Sequence, residues 1–400
     1  WVAWLGSWWV LVFWFLLADI YLTQFIPWTW WRHTKNKVVK EVMTWVDAIG
    51  YALILVYFLF AFVGQNYQIP SSSLEKTLLV GDYLWVNKMV YGPRVPNTPL
   101  HFPLAQNTRP ILNCKSYIDK PQWDYHRLKG LRSIERNDIV VFNFPAGDTV
   151  ALKMQNPDYY TLIHLYGREE VHRNKAQYGD IIYRPVDRRE NYVKRCIGLP
   201  GDRLKIVDNV VYINGKPIEN PHDVQFNYFL QTDGRAITDD VWDDLGVSVA
   251  DRSEMQISVQ DVQSVALMGM NVGADGSVAP IYHAPLTEDM KAKIAANYPW
   301  IVKVVKEPTA EMFNPYPIEH SYGWTRADYG EVWIPKKGEQ ISLNVNNLPI
   351  YARCIKNYEG NSLEVKNGVI YINDEPATSY TFKMDYYWMM GDNRDNSLDS

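Results

Sequence analysis

Apolar positions in the first 65 residues fall in two long unbroken runs, and beyond them the pattern changes to short alternating blocks. Val2 to Ala18 carries no charge, nor does Ala48 to Gly64. With their aromatic flanks, each approaches the roughly 20 apolar residues that an α-helix needs to cross a bilayer. A buried helical hairpin in a soluble core would carry a polar stripe, which neither run has. The first run is also too long for a cleavable signal peptide and lacks its Lys/Arg flank. Between the two runs, Arg32, Lys35, Lys37 and Lys40 stand beside one acid, Glu41, after an aromatic cluster of Trp28, Trp30 and Trp31. By the positive-inside rule this loop is predicted to be cytoplasmic, with the tryptophans at a membrane surface, so the chain after about Gln65 is expected outside.

From there the text reads as strands: DYLWVNK (Asp82 to Lys88), DIVVFNF (Asp138 to Phe144), DIIY (Asp180 to Tyr183) and YVKRCI (Tyr192 to Ile197), then VVYING, EVWIP, VIYIND and YYWMM. Short alternating runs separated by Gly, Pro, Asn and Asp predict a mainly-β domain. One helix stands out in TEDMKAKIAANY, with Thr287 as N-cap, acids in its first turn and Pro299 beyond its end. It lies in a polar stretch, about 221–340, that reads as an inserted α/β lobe. The expected organisation is therefore a membrane anchor over 1–65, with two transmembrane helices, and an extracytoplasmic domain over 66–400 carrying that insertion. Within the domain, Tyr192 to Gly215 is echoed by Tyr351 to Asp374. Arg195-Cys196-Ile197 matches Arg353-Cys354-Ile355, and Val211-Tyr212-Ile213-Asn214 matches Ile370-Tyr371-Ile372-Asn373. Two copies of one strand-turn-hairpin unit are predicted; in the second, Ala352 stands where the first has Lys194.

The 400 residues, 47% hydrophobic and 14% aromatic, are enough for a sizeable core and for more than one domain. A net charge of -5 leaves no basic stripe of the kind nucleic acid requires. Cys114, Cys196 and Cys354 have no C-x-x-C spacing, so neither a disulfide framework nor a zinc site is indicated, and the three are expected as buried small hydrophobes. The chain opens on Trp rather than Met and stops inside what reads as an unfinished motif, so further residues are expected at both ends.

Four segments carry candidate chemistry. After the second apolar run comes Gln68-Ile69-Pro70-Ser71-Ser72-Ser73-Leu74-Glu75-Lys76-Thr77, later Arg136-Asn137-Asp138-Ile139-Val140-Val141-Phe142, then Tyr192-Val193-Lys194-Arg195-Cys196-Ile197-Gly198-Leu199-Pro200-Gly201-Asp202, and finally Gly391-Asp392-Asn393-Arg394-Asp395-Asn396-Ser397-Leu398-Asp399-Ser400. In this order, after two apolar runs, they resemble the boxes of the type I signal peptidase family, the bacterial leader peptidases. GDNRDNS is highly specific, the VKRCIGLPGD run is strong, and PSSS alone is weak. The resemblance covers the membrane region and most of the outer domain, but not the insertion.

The resemblance implies a membrane-bound serine endopeptidase that removes signal peptides from secretory preproteins after small residues, in the bacterial cytoplasmic membrane, with its catalytic domain on the periplasmic side. Preproteins and membrane lipid are the implied partners, and no cofactor or metal is implied. It places the nucleophile on Ser73 and the general base on Lys194, a Ser/Lys dyad. It gives the Ser71 hydroxyl and the Ser73 N–H as the oxyanion hole, and Ser397 as the group that orients Lys194. Arg195, Asp392, Arg394 and Asp399 fall to structural roles near the site; the arginine usual in the family would follow Ser400. The chemistry agrees with the assignment. A serine hydroxyl is a poor nucleophile until a neighbouring base takes its proton, and a lysine serves as that base only when burial keeps it neutral. On a strand, Lys194 shares a face with Tyr192 and Cys196, a setting apolar enough for that purpose. Leu74, Glu75-Lys76 and Asn137 depart from the commonest family wording without removing any catalytic group.

Two rival readings remain. Ser73-Leu74-Glu75-Lys76 also spells the S-x-x-K motif of penicillin-binding proteins and class A β-lactamases, but S-D-N and K-T-G are missing downstream and the motif leads into a strand. The other rival is a membrane-tethered, non-catalytic binding or scaffold protein with a protease-like fold, which loss of Ser73 or Lys194 would have suggested; both are present.

Overall fold

The structure, a computed structural model, describes residues 15, 18–102, 104–108, 115–258, 260–308 and 315–397. Apart from Phe15 and Ala18, the first apolar run lies outside the described residues, as do Cys114 and Asp399. The second run forms helix α1 (Lys37–Phe58), started by the Asn36 side chain, which accepts from the Val38 and Val39 N–H groups. It continues in wider turns through Val63. The 27 residues Lys37–Val63 are unburied, and at 1.5 Å per residue they span roughly 40 Å, enough for a bilayer core. Among the described residues this is the one helix long and apolar enough, by length and composition, to cross a membrane.

The chain forms two compact units, of which the first contains residues up to Gln68, Tyr83–Ile134 and Val141–Tyr192. Within it, β1 (Gly64–Gln68) pairs antiparallel with β2 (Tyr83–Asn87). Three short helices between Tyr159 and Tyr178 pack Tyr159, Leu162 and Val171 into a small core of their own.

The second unit comprises Ile69–Asp82, Glu135–Val140 and Val193–Ser400. Its main sheet sets β4 (Arg203–Val207) between β5 (Val210–Ile213) and a strand that arrives more than a hundred residues later. Leu204 and Ile206, Val211 and Ile213 point to one face and are buried, as period-two alternation requires. Beside it, the outer half of β3 (Asn191–Gly198) pairs with the last described strand of the chain. The predicted insertion contains a sheet that individual runs had not signalled: β6 (Phe226–Thr232) lies between β7 (Ile281–Leu286) and β8 (Ile301–Lys306). Helix α2 (Asp239–Leu245) and helix α3 (Glu288–Asn297) share a core with one face of this sheet, built on Leu230, Trp242, Ala284, Leu286 and Ile294. The other face packs Phe229 and Ile281 against Val265 and Met270. β9 (Tyr329–Trp333), within the polar stretch in sequence, belongs instead to the main sheet, where Val332 opposes Leu204.

The internal echo holds only in its second half. β10 (Leu363–Lys366) and β11 (Val369–Ile372) form a hairpin like β4 and β5, each closed by a tight turn with two positive-φ residues, Asp208-Asn209 and Asn367-Gly368. Asn214 bridges Asp202 and the Arg203 N–H, and Asn373 bridges Asn361 and the Ser362 N–H in the same way. Upstream the expectation fails: Leu348–Arg353 is a helix, α4, and Lys356 lies on its widened continuation Cys354–Tyr358 rather than on a strand. Pro349 suits a first helical turn and would remove a ladder donor from a strand. Leu348, Tyr351 and Ile355 then fall on one buried face at helical spacing.

Thr287 caps α3 as the sequence predicts, its hydroxyl accepting from the Met290 N–H at 3.2 Å. Thr287→Ala is expected to destabilise the protein by about 1 kcal/mol, measured by denaturant unfolding; unchanged stability would contradict the capping role.

Candidate functional site

The segment Ile69–Asp82 is a loop closed at its neck. Ile69 N–H donates to the Asp82 carbonyl and Gly81 N–H to the Ile69 carbonyl, both at 2.9 Å. Gly81 has a φ of +97, open to glycine at little cost. Leu74, 1% exposed, anchors the loop interior. Next to it Ser72–Leu74 make one 3-10 turn, so the first N–H groups of that turn, Ser73's included, have no carbonyl inside it to bond. Ser71 sits at the N-cap in extended conformation, yet its side chain makes no capping bond. Ser73 is buried and Ser71 exposed.

On β3, Lys194 is 3% exposed and its amine donates to Ser397 Oγ at 2.7 Å. Ser397, itself buried, ends the Gly391–Ser397 segment that follows β12 (Trp388–Met390), the partner strand of β3. The loop holding Ser73 meets this segment directly, because Asn393 N–H donates to the Ser73 carbonyl at 3.1 Å. Gly391 makes the meeting possible. A Cβ there would lie 2.6 Å from Ser397 Oγ and 2.6 Å from the Ser73 carbonyl oxygen. These two atoms are therefore within about 5 Å of each other, and Ser397 carries the Lys194 amine into the same cluster.

A buried ion pair ties the three segments together. Arg195 donates to both oxygens of Asp392, Nε at 2.8 Å and Nη2 at 2.6 Å. Thr77 Oγ1 donates to the same carboxylate at 2.7 Å, joining the Ser73 loop to it. The Asp392 hydrogen bond holds the Arg195 guanidinium above its usual range. Asp392 is 1% exposed, and removing one partner of so buried a pair costs about 3–5 kcal/mol. Arg394 is buried as well, its Nε without a hydrogen-bond partner among the described residues, and burial depresses it to about 10.

The structure thus brings Ser73, Lys194, Ser397, Arg195 and Asp392 into one constellation, with Ser71 at the mouth of the turn. Lys76, the lysine of the S-x-x-K spelling, is turned elsewhere: with a φ of +74, it donates to the Gly246 carbonyl at the end of α2. Thr77 and Glu75 are the neighbours that sequence reasoning missed. Glu75 is buried with one carboxylate oxygen unpartnered among the described residues, and burial together with Asp251 pushes its pKa up. Its signal in the sequence is the departure from family wording just after Ser73. Cys196 and Cys354 carry free thiols, pushed up by burial to about 11 and about 12.

Residues 42–235 match the family described as signal peptidase, peptidase S26. The chain is 32% identical over 187 residues to a signal peptidase I of Rickettsia felis, covering 47% of this chain and 48% of the relative. It is 33% identical over 185 residues to that of Rickettsia typhi, covering 46% and 47%. Identity to the Pseudomonas aeruginosa signal peptidase I is 26% over 166 residues, covering 41% and 35%. The chain spans about half the length, or less, of these curated relatives.

Gly391→Ala is expected to lower stability by about 1–3 kcal/mol through overpacking against the Ser73 backbone, read by denaturant unfolding. Wild-type stability would mean that the close approach is not real.

Proposed function

We propose that this chain, whose residues 42–235 match the signal peptidase S26 family, is a membrane-bound serine endopeptidase that cleaves signal peptides from exported preproteins with a Ser73/Lys194 dyad. The observation that carries the reading is the convergence at Gly391 of the Ser73 carbonyl, the Ser397 hydroxyl and, through it, the Lys194 amine. Lys194 as the free amine takes the Ser73 Oγ proton while Oγ attacks the scissile carbonyl carbon. The oxyanion that forms accepts from the Ser73 N–H and the Ser71 hydroxyl, whose lack of a capping bond leaves it available. The lysine, now an ammonium, protonates the departing amine, which leaves an ester on Ser73. Water, giving its proton to Lys194, then hydrolyses that ester, and the ammonium returns the proton to Ser73 Oγ as it leaves, so that both groups are restored. Removal from water favours the neutral amine over the ammonium, and Ser397 holds it by one hydrogen bond. Arg195, Asp392, Arg394 and Asp399 act as structural supports.

The same reading makes the protein multi-pass in the bacterial cytoplasmic membrane, with Val2 to Ala18 as the first span and the loop of Arg32, Lys35, Lys37 and Lys40 on the cytoplasmic side. Ser73 is the ninth residue after Gly64, a reach of at most about 30 Å. This tether suits a substrate that crosses the bilayer as an apolar helix and ends in a small-x-small site near the outer surface.

Ser73→Ala and Lys194→Ala are expected to abolish cleavage of a purified preprotein while leaving the thermal transition intact. Ser71→Ala is expected to reduce turnover about 10-fold to 1000-fold, as for one oxyanion donor. Wild-type turnover by Ser73→Ala would sink the dyad; β-lactam acylation of Ser73 that depends on Lys76 would instead favour the S-x-x-K chemistry.

A base that must be neutral also sets a pH dependence: the rate rises with pH until Lys194 is deprotonated and falls in acid as it gains its proton. The pH–rate profile, taken where the protein stays folded, checks this. A flat profile from mildly acidic to mildly alkaline conditions would contradict a lysine base.

A further inference from the structure

The inserted lobe meets the Gly391–Ser397 segment at the first residues of β6. Gln225 N–H donates to the Asp392 carbonyl at 2.8 Å and Arg394 N–H to the Gln225 carbonyl at 3.0 Å, so the segment runs alongside the strand as a short parallel bridge. Two residues on from Gln225, Asn227 is 5% exposed, and its N–H donates to Asp395 Oδ2 at 2.8 Å. Its side-chain oxygen accepts from Asn396 Nδ2 at 3.1 Å, while its own Nδ2 donates to Glu307 Oε2 at 3.0 Å. The same Glu307 oxygen meets His283 Nε2 at 3.0 Å, and Glu307 N–H donates to the Asn227 carbonyl at 2.9 Å. Asn227 is thus held from behind by the lobe and holds Asn396 in front.

Asn396 reaches both halves of the dyad. The residue after it is Ser397, which bonds Lys194, and its Nδ2 also donates at 3.2 Å to the side chain of Asn393, whose N–H carries the Ser73 carbonyl. From this linkage we propose that Asn227, backed by Glu307, is a positioning residue for the Ser73/Lys194 reaction, and that the inserted lobe is a working part of the site. The inference rests on the dyad reading given above. Asn227 touches no reacting atom. It acts through Asn396 by fixing the distance between the Ser397 hydroxyl and the Ser73 backbone, and a small misplacement in a reacting constellation costs far more in rate than in binding.

The test compares full-length wild type, Ser73→Ala, Asn227→Ala, Asn227→Asp, Glu307→Gln and the double variant Asn227→Asp/Glu307→Gln in lipid vesicles, with a purified preprotein as substrate. Asn227→Ala is expected to lower kcat about 10-fold to 100-fold with KM within about 2-fold, the pattern for geometry felt mainly in the transition state. Asn227→Asp keeps the acceptor for Asn396 but sets a carboxylate against Glu307, so it should be impaired. Exchanging amide and carboxylate in the double variant restores the bond and should recover kcat. That recovery also decides the matter should Asn227→Ala fail to fold. A wild-type kcat in Asn227→Ala, or a double variant no better than Asn227→Asp, would overturn the positioning role while an inactive Ser73→Ala left the dyad standing. An active Ser73→Ala would remove the dyad and this inference with it.

Discussion

Around Gly391, chain segments more than 300 residues apart come against a point where no side chain fits: the Ser73 carbonyl on one side and the Ser397 hydroxyl on the other. The turn at Ser72–Leu74, the strand that delivers Lys194 and the Gly391–Ser397 segment are each ordinary local structures. What makes a site of them is the close approach that a glycine permits. The Asn393 N–H bonded to the Ser73 carbonyl fixes the orientation of that approach. The proposed chemistry depends on this constraint, since a nucleophile and a base are useful only within hydrogen-bond reach of each other.

Polar groups packed this tightly need partners, because a buried charge or amide without one is costly. The Arg195–Asp392 pair neutralises itself, takes in Thr77, and so links the Ser73 loop, β3 and the Gly391–Ser397 segment in one network. A second, uncharged layer of asparagines, Asn227, Asn393 and Asn396, passes the alignment on to the inserted lobe. The lobe has its own apolar core on each face of its sheet. It therefore offers a packed strand against which the Gly391–Ser397 segment is registered.

Much of this was legible in the residues. Period-two runs marked the strands at Tyr83–Asn87, Asn191–Gly198 and Val369–Ile372, and Thr287 with its acidic first turn marked α3. The motifs pointed to Ser73, Lys194 and Ser397, residues that the fold gathers from three places, Ser73 through its backbone carbonyl. Hidden were the features that exist only through distant contact. Gly391 reads as a turn residue until its neighbours are known, and Asn227 reads as one polar residue in a polar stretch. The repeat misled at Tyr351 because matching letters, Arg-Cys-Ile in both copies, sit in different surroundings: Pro349 and a buried helical face outweigh local likeness to a strand. Glu75 gave only a departure from family wording, since burial is a property of the folded loop.

The most direct measurement is the site of cleavage. The full-length protein in lipid vesicles is incubated with a purified preprotein, and the products are identified by intact mass and N-terminal sequencing. The proposed function predicts one cut, immediately after the small-x-small site that ends the apolar segment, and its loss when the residue before the cut is changed to a large one. A preprotein left whole, or cut within its mature part, would contradict it.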